Sequence, residues 1–545
     1  MLLDPAIGSN FYGRSDILAL LEKRAEGLRS GYRQNVAVIG PSYCGKTSLL
    51  YRFISLPVHK DLVPVYIEVK DKGLPAFAEK FSSTLIYRYL DRTEGIPRTL
   101  KASKAVETLL KSGKGAKAFR AALELPAIAF AETGLKPVVI IDEFDRLGGF
   151  GIEDVFAELG KSIMVQKDTM YIVASSRIKQ AREILSEKLS LLFGNFEVCE
   201  LGTFGVKEAC GFIDSRLTCG DLPPELREFI ASFTDGHPFY LDAVLVDMEK
   251  RTGRLPQCRH KDELVNTFTE TLFDSKGILN QHFSVVLTEF EGMDRRMTPV
   301  LLALSAGAKK LAEIVSTSRV KKPEAAALLE KLIDSGKVSK HGVCYLIRDK
   351  VFEFWLKNVY HSKEYLFDSG YEPKISRFRE SVSGFIDSYV SENSGERARI
   401  TGELFMSFRG ELVELSGKSL KMPHFKSCEL ERSKTDGISY IKLSGADSIW
   451  VLLFSYRGLR DNHIIDYINH CRKYKDGLKR RIIITAADIG ANAKLIAKDA
   501  KCLIWGPAEL NILMDIAGRH RIVLPVEHGD DAAACEGLMD SENAS

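Results

Sequence analysis

An α/β fold built on a parallel sheet is expected for the N-terminal part of this chain. Two observations predict it. Short apolar, β-branched runs alternate with stretches of helical spacing, and the first such run stops at a glycine-rich loop that opens directly into a helix. Further along, helices followed by a short hairpin, and then a return to mixed strands and helices, predict more domains behind the first. The length agrees, because 545 residues exceed one ordinary core and about 150 residues per domain suggests three or four.

Ile17, Leu18, Leu20, Leu21, Ala25 and Leu28 recur at helical spacing over residues 14–29, with Ser15 as the expected cap. Strands follow at 35–40, 63–69, 137–141 and 170–174, and a helix at 46–54. From these patterns the chain divides into a core at 1–205, an all-helical lid at 206–285 interrupted at Gly236 to Leu241, and a winged helix at 286–365. In the winged helix, a helix at 324–335 is broken by Gly336, and a hairpin runs to Ile347. A second α/β domain is expected at 366–525, with strands at 428–432, 438–443, 449–454 and 481–485. Residues 526–545 are small and acidic, the composition of a frayed tail.

Composition excludes several classes. Hydrophobic residues make up 45% and charged residues 27%, as in folded globular chains, so neither disorder nor a fibre is indicated. The formal net charge of +3 is small for this length, and any nucleic-acid footprint must be a local patch. Ten scattered cysteines with no Cys-x-x-Cys pair argue for reduced thiols and against a structural zinc. No apolar run approaches the ~20 residues of a membrane span and no signal segment opens the chain, so a cytoplasmic location without a membrane partner is expected.

Gly40, Pro41, Ser42, Tyr43, Cys44, Gly45, Lys46 and Thr47, continued by Ser48, fit the Walker A pattern. In that pattern backbone N–H groups wrap phosphates, Lys46 reaches the β and γ oxygens, and the Thr47 hydroxyl ligates magnesium. A strand at 138–141 then delivers Asp142 and Glu143 at its carboxyl end, the first to hold Mg²⁺ and the second to polarise an attacking water. A further strand ends in Ser175, Ser176 and Arg177. Arg177 is a candidate phosphate sensor, with an ordinary surface arginine as the alternative. No Asn-Lys-x-Asp or Thr-Lys-x-Asp guanine reader is present, which makes ATP the expected nucleotide.

These residues carry a resemblance. In the order Phe11-Tyr12-Gly13-Arg14, Walker A, Asp142-Glu143, Ser175-Ser176-Arg177 and Gly236-His237-Pro238, residues 8–360 resemble the archaeal-type ATPase family, a STAND-type branch of AAA+-related P-loop NTPases. The resemblance implies that Phe11 to Arg14 lie against the adenine, that Pro238 closes over the base, and that nucleotide state sets the lid and winged-helix angle. A homo-oligomer is compatible with it. His237 is then a phosphate sensor, or else a capping or core histidine.

Residues 375–520 resemble the restriction-endonuclease-like fold, notably its Mrr-type branch, through a helix with Glu411 and Glu414, an Asp436-Gly-Ile turn and the ending Ile504-Trp-Gly-Pro-Ala-Glu-Leu510. An active member carries Glu-x-Lys on the central strand after the Asp. Here Leu453 and Ser455 stand in those places, which predicts a fold without cleavage activity. DNA or a protein partner remains the open alternative for two surfaces. One is the winged helix with Lys309, Lys310, Arg319, Lys321 and Lys322. The other is the basic run His470 to Lys475 with Lys479 to Arg481.

Overall fold

Strands buried on both faces read as continuous apolar runs, and that is how the first sheet forms. In the computed structural model, which describes residues 5–56, 61–70, 73–189, 196–217, 222–252, 260–362, 370–446 and 448–522, two compact units are present. The first comprises Met1–Phe212 with His237–Phe239, and the second Ile213–Gly236 with Tyr240–Ser545.

The first unit is a five-stranded parallel sheet of β1 (Asn35–Ile39), β2 (Leu62–Glu68), β3 (Lys136–Asp142), β4 (Met170–Ser175) and β5 (Phe196–Glu200), in the order β2-β3-β4-β1-β5. Alternate residues of the central strands feed two separate cores. Ala37, Ile39, Val139, Ile141 and Val173 pack on one face, and Val36, Val38, Val138, Ile140 and Ile172 on the other. The sheet is therefore wrapped by helices on both sides, and the ends of β1, β3 and β4 come together at one edge. β5 was not expected. Its Phe-Glu-Val-Cys-Glu sequence alternates charge with apolar residues because it lies at the sheet edge, where exposure is partial.

The helix expected over 14–29 spans Ser15–Arg29, and Ser15 is its first residue and not its cap. Arg14 holds the capping position in the left-handed region, at φ 62°, without a side-chain cap.

The second unit opens with helices, among them Pro224–Phe233, His260–Phe268 and Ile278–Met293. The last of these runs across position 285, where lid and winged helix were expected to divide. Helices Met297–Ser305, Leu311–Ser318 and Lys322–Asp334 then lead into the hairpin β6 (Val338–His341) and β7 (Cys344–Ile347), which turns at Gly342 with φ 67°. Lys310 bridges to Cys344, so a third short segment lines β7.

The segment expected to be a helix with Glu411 and Glu414 is instead a second hairpin, β8 (Leu412–Leu415) and β9 (Lys418–Lys421). The preceding helix ends at Met406, Gly410 at φ 104° lies between it and the hairpin, Ser416 and Gly417 take left-handed conformations in the turn, and Val413 and Leu415 alternate inward. The final sheet holds β10 (Phe425–Arg432), β11 (Ile438–Gly445), β12 (Ile449–Ser455), β13 (Leu478–Thr485) and β14 (Leu503–Trp505) in sequential order. β10 to β12 are antiparallel, and β12 to β14 parallel with a helix in each crossover. The tail expected from position 526 lies outside the described residues.

Candidate phosphate-binding site

The loop between β1 and the helix Lys46–Ser55 is shaped by two left-handed residues, Tyr43 at φ 60° and Gly45 at φ 98°. Gly45 occupies the capping position with no side-chain cap, so the start of the helix presents backbone N–H groups and the positive end of its dipole. Lys46 is buried, and its Nζ donates to the carbonyls of Gly40 (2.9 Å) and Pro41 (2.7 Å). The Cys44 thiol, pushed up in pKa by burial, donates to the Leu201 carbonyl.

Gly40 is required by contact. A Cβ there would stand 2.1 Å from the Leu201 carbonyl oxygen, and Leu201 N itself donates to Ile39 O at 2.8 Å. We therefore expect Gly40→Ala to displace the loop and lower any nucleotide turnover at this site roughly 100-fold, the cost of a misplacement of about 1 Å. Steady-state phosphate release checks it, and an unchanged rate would show that the loop yields.

Asp142, at the end of β3, is 1% exposed and is the hub of the site. Its Oδ2 accepts from the Thr47 hydroxyl (2.8 Å) and the Tyr66 hydroxyl (3.0 Å), and its Oδ1 accepts from Glu143 N (3.0 Å). Burial holds its carboxyl above the usual range. The bond from Thr47 opposes this, and the neighbouring Glu143 charge adds to it. Burial and the Asp142 charge likewise push the Tyr66 phenol well up.

Glu143 sits at φ 53° and its carboxylate accepts from the Ser176 hydroxyl and, at 3.4 Å, from Ser176 N. Ser175 donates to the buried Asp145 (2.6 Å) and accepts from Arg177 N (3.0 Å), while Arg177 Nε lies 3.8 Å from the other Asp145 oxygen. Burial is the main reason the Asp145 carboxyl is raised.

Phe11 to Arg14 dock on the segment after β5. Phe11 packs on the core, and Tyr12 meets Phe204 and Phe212 edge-on at 6.1 and 5.4 Å. Arg14 donates to Gly202 O (2.6 Å) and lies over the Phe204 ring at 4.5 Å, and its N–H donates to Glu208 (3.2 Å). The Ser48 hydroxyl accepts from Ala6 N (3.0 Å). His237 Nε2 lies 3.2 Å from the Ser42 carbonyl, and Phe239 packs on Tyr43 at 5.1 Å, while Pro238 begins the helix Pro238–Thr252.

The first unit thus gathers the glycine-rich loop, both carboxylates, the Ser175 to Arg177 segment and His237. Tyr66, Asp145 and Glu208 escaped the sequence reading. Asp145 had a local signal, a third acid two residues after Glu143. The other two come from distant segments and left none.

In the second unit, the register Ile438↔Ser455 sets the start of β11 beside the end of β12, and Asp436 lies 3.5 Å from Arg457. Leu453 is fully buried, and the Ser455 hydroxyl donates to Arg457 O at 3.0 Å. Of the expected basic surfaces, Lys309 is committed internally, with Nζ donating to Asp515 O (2.6 Å) and Ile516 O (2.8 Å). Arg481 donates to Ala500 O (2.9 Å), whereas Lys479 and Arg480 are exposed.

No protein-family model and no curated protein matches the chain. Among solved structures it is similar to the Walker-type ATPase PABY2304 of Pyrococcus abyssi, at 17% identity over 65% of this chain and 99% of that one, with a TM-score of 0.47. It is also similar to the ORC2 protein of Aeropyrum pernix in its ADPNP-ADP complexes (12% identity, 69% and 96% covered, TM-score 0.44). A third is the Aeropyrum pernix ORC1 protein in complex with DNA (14%, 65% and 94%, 0.38). At these values the likeness assigns no activity to this chain, and the functional reading rests on its own residues.

Proposed function

We propose that this protein is a magnesium-dependent, ATP-hydrolysing molecular switch. The observation that carries the reading is the meeting of the Thr47 hydroxyl with the Asp142 carboxylate at 2.8 Å, at the foot of a loop whose lysine is held against it. A hydroxyl and a carboxylate converging at one point form the oxygen-only donor set that suits Mg²⁺. When bound there, the ion neutralises charge on the ATP phosphates.

The loop from Gly40 to Ser48 binds the phosphates through its N–H groups, and Lys46 supplies a positive charge to their oxygens. Glu143 orients the attacking water and accepts its proton. Ser176 fixes the Glu143 carboxylate, while Asp145 and Ser175 position Arg177 for the γ-phosphate. The bond between His237 and the Ser42 carbonyl supports a role for Gly236 to Pro238 in reporting the state of that loop, with Phe11 to Arg14 and Pro238 lining the base.

The three helices and hairpin of 297–347 read as a winged helix, and the meander plus parallel crossovers of 397–505 as a restriction-endonuclease-like domain without its chemistry. One exposed carboxylate, Asp436, with leucine and serine at the other two places, cannot assemble a two-carboxylate metal site. This disfavours the alternative of an ATP-dependent nuclease. A signalling scaffold without turnover is disfavoured by the full set Lys46, Thr47, Asp142 and Glu143.

The test is phosphate release from ATP with and without magnesium, with GTP as control and supercoiled plasmid in the same tube. Magnesium-dependent ATP turnover with intact plasmid is expected. Nicked plasmid, or ATP bound and never hydrolysed, overturns the reading.

A further inference from the structure

The wing of the second unit is not free-standing. Val343 N, at its turn, donates to Leu412 O (3.2 Å) on β8, and the His341 ring lies 3.2 Å from Glu414 O. The approach is so close that a Cβ on Gly342 would stand 2.4 Å from the Leu412 oxygen. This docking creates an open groove of about 690 Å³ that neither hairpin forms alone, lined among others by Lys310, Lys340, Tyr345, Arg409 and Glu411.

The groove draws its cations from three different elements. Lys310 precedes the helix Leu311–Ser318, Lys340 lies on β6, and Arg409 follows the helix Arg397–Met406. Its single acidic lining residue, Glu411, is 3.6 Å from Lys310. Among the described residues, Lys340 and Arg409 form no ion pair. Lys340 lies over the Tyr345 ring at 5.4 Å, and Arg409 Nη1 is 2.7 Å from the His424 ring. Glu411 and, outside the lining, Glu313 both lie beside Lys310, so the excess positive charge of the groove rests on Lys340 and Arg409.

We propose that this groove binds the phosphodiester backbone of nucleic acid. Its openness favours an extended polyanion over a small ligand, since small-molecule sites enclose most of their ligand. Tyr345 is buried beneath Lys340 and offers no ring face for stacking, so the recognition is of phosphates and not of bases. The wing, hydrogen-bonded to β8, contributes Lys340 as one wall of this groove in place of entering a DNA groove by itself. The proposal uses no residue of the ATP site and stands or falls apart from ATP turnover.

The test uses the full chain, a fluorescently labelled single-stranded oligonucleotide of mixed sequence, and anisotropy titrations across a salt series. Against wild type, the variant Lys340→Ala/Arg409→Ala is expected to bind about tenfold more weakly at low salt. The slope of log K against log salt should be shallower by roughly 1.4, two phosphate contacts at about 0.7 each for a single strand. The single variant Arg409→Gln should show about half that change in slope.

Lys46→Ala should bind the oligonucleotide as wild type does, which separates this site from the ATP site. Lys479→Ala/Arg480→Ala, on the other basic surface, should also leave binding unchanged. Retained affinity in the Lys340/Arg409 variant, loss confined to the Lys479/Arg480 variant, or displacement of the oligonucleotide by polyglutamate at equal charge overturns the proposal.

Discussion

Glu143→Gln is expected to lower ATP turnover by about 10²–10⁴-fold, the range for loss of a general base, while leaving ATP affinity within a few-fold of wild type. The amide has the shape of the carboxylate: its one oxygen can accept from Ser176 N–H while its –NH2 donates to the Ser176 hydroxyl, which turns to accept, so the left-handed corner at φ 53° keeps its form. What it cannot do is take a proton. Lys46→Ala should behave differently, losing binding and turnover together, because the lysine holds charge against the ground-state phosphates as well as the transition state. Phosphate release together with filter retention of labelled ATP distinguishes the two. If Glu143→Gln turns over at the wild-type rate, the base lies elsewhere, and Asp145, buried one bond away from Ser175, becomes the residue to test.

Arg521→Ala should destabilise the second unit by about 3 kcal/mol, at the low end of what breaking a buried ion pair costs. Arg521 grips Asp515 with two donors, Nη2 at 2.9 Å and Nε at 3.3 Å, and reaches Asp235 with Nη1 at 2.5 Å. Asp515 is 8% exposed along its side chain, so truncating the arginine leaves the carboxylate with Lys350, at 3.3 Å, as its remaining ion-pair partner among the described residues. That remaining partner is why the low end of the range applies. A fall in melting temperature of roughly 6 °C is expected by calorimetry, at about 2 °C per kcal/mol for a unit of this size. Replacing both partners, as Arg521→Met with Asp515→Leu, should recover most of it, since removing a buried pair together is often nearly neutral. A loss below about 1 kcal/mol for Arg521→Ala would place the pair among weak surface bridges.

Much of the candidate site was legible because its residues follow one another along the chain. Residues 40 to 48, the pair Asp142 and Glu143, and Ser175 to Arg177 are local strings bound to strand ends, and strand ends announce themselves by apolar runs that stop. The same logic misread Glu411 and Glu414, because a short hairpin with two inward residues has too little periodicity to be told from a helix turn. β5 and β14 were hidden for a related reason. Edge strands are half exposed: β5 mixes charge into its apolar run, and β14, though apolar throughout, is only the three residues Leu503–Trp505, too short to register.

The sequence by itself determined the parallel core, the glycine-rich loop with its lysine and the two carboxylates at the end of β3, and the absence of a Glu-x-Lys on β12. Each of these is fixed by residue type within a short window. Only the tertiary structure decided the partnerships made across long separations. Tyr66 on Asp142, Glu208 under Gly13, Arg521 on Asp515 beside Lys350, and the wing on β8 that turns Lys310, Lys340 and Arg409 into one groove all belong to this class. A charged or polar side chain has the same appearance in sequence whether it faces water or a partner a hundred residues away. Burial, which sets its energy and its chemistry, exists only once the chain has closed on itself.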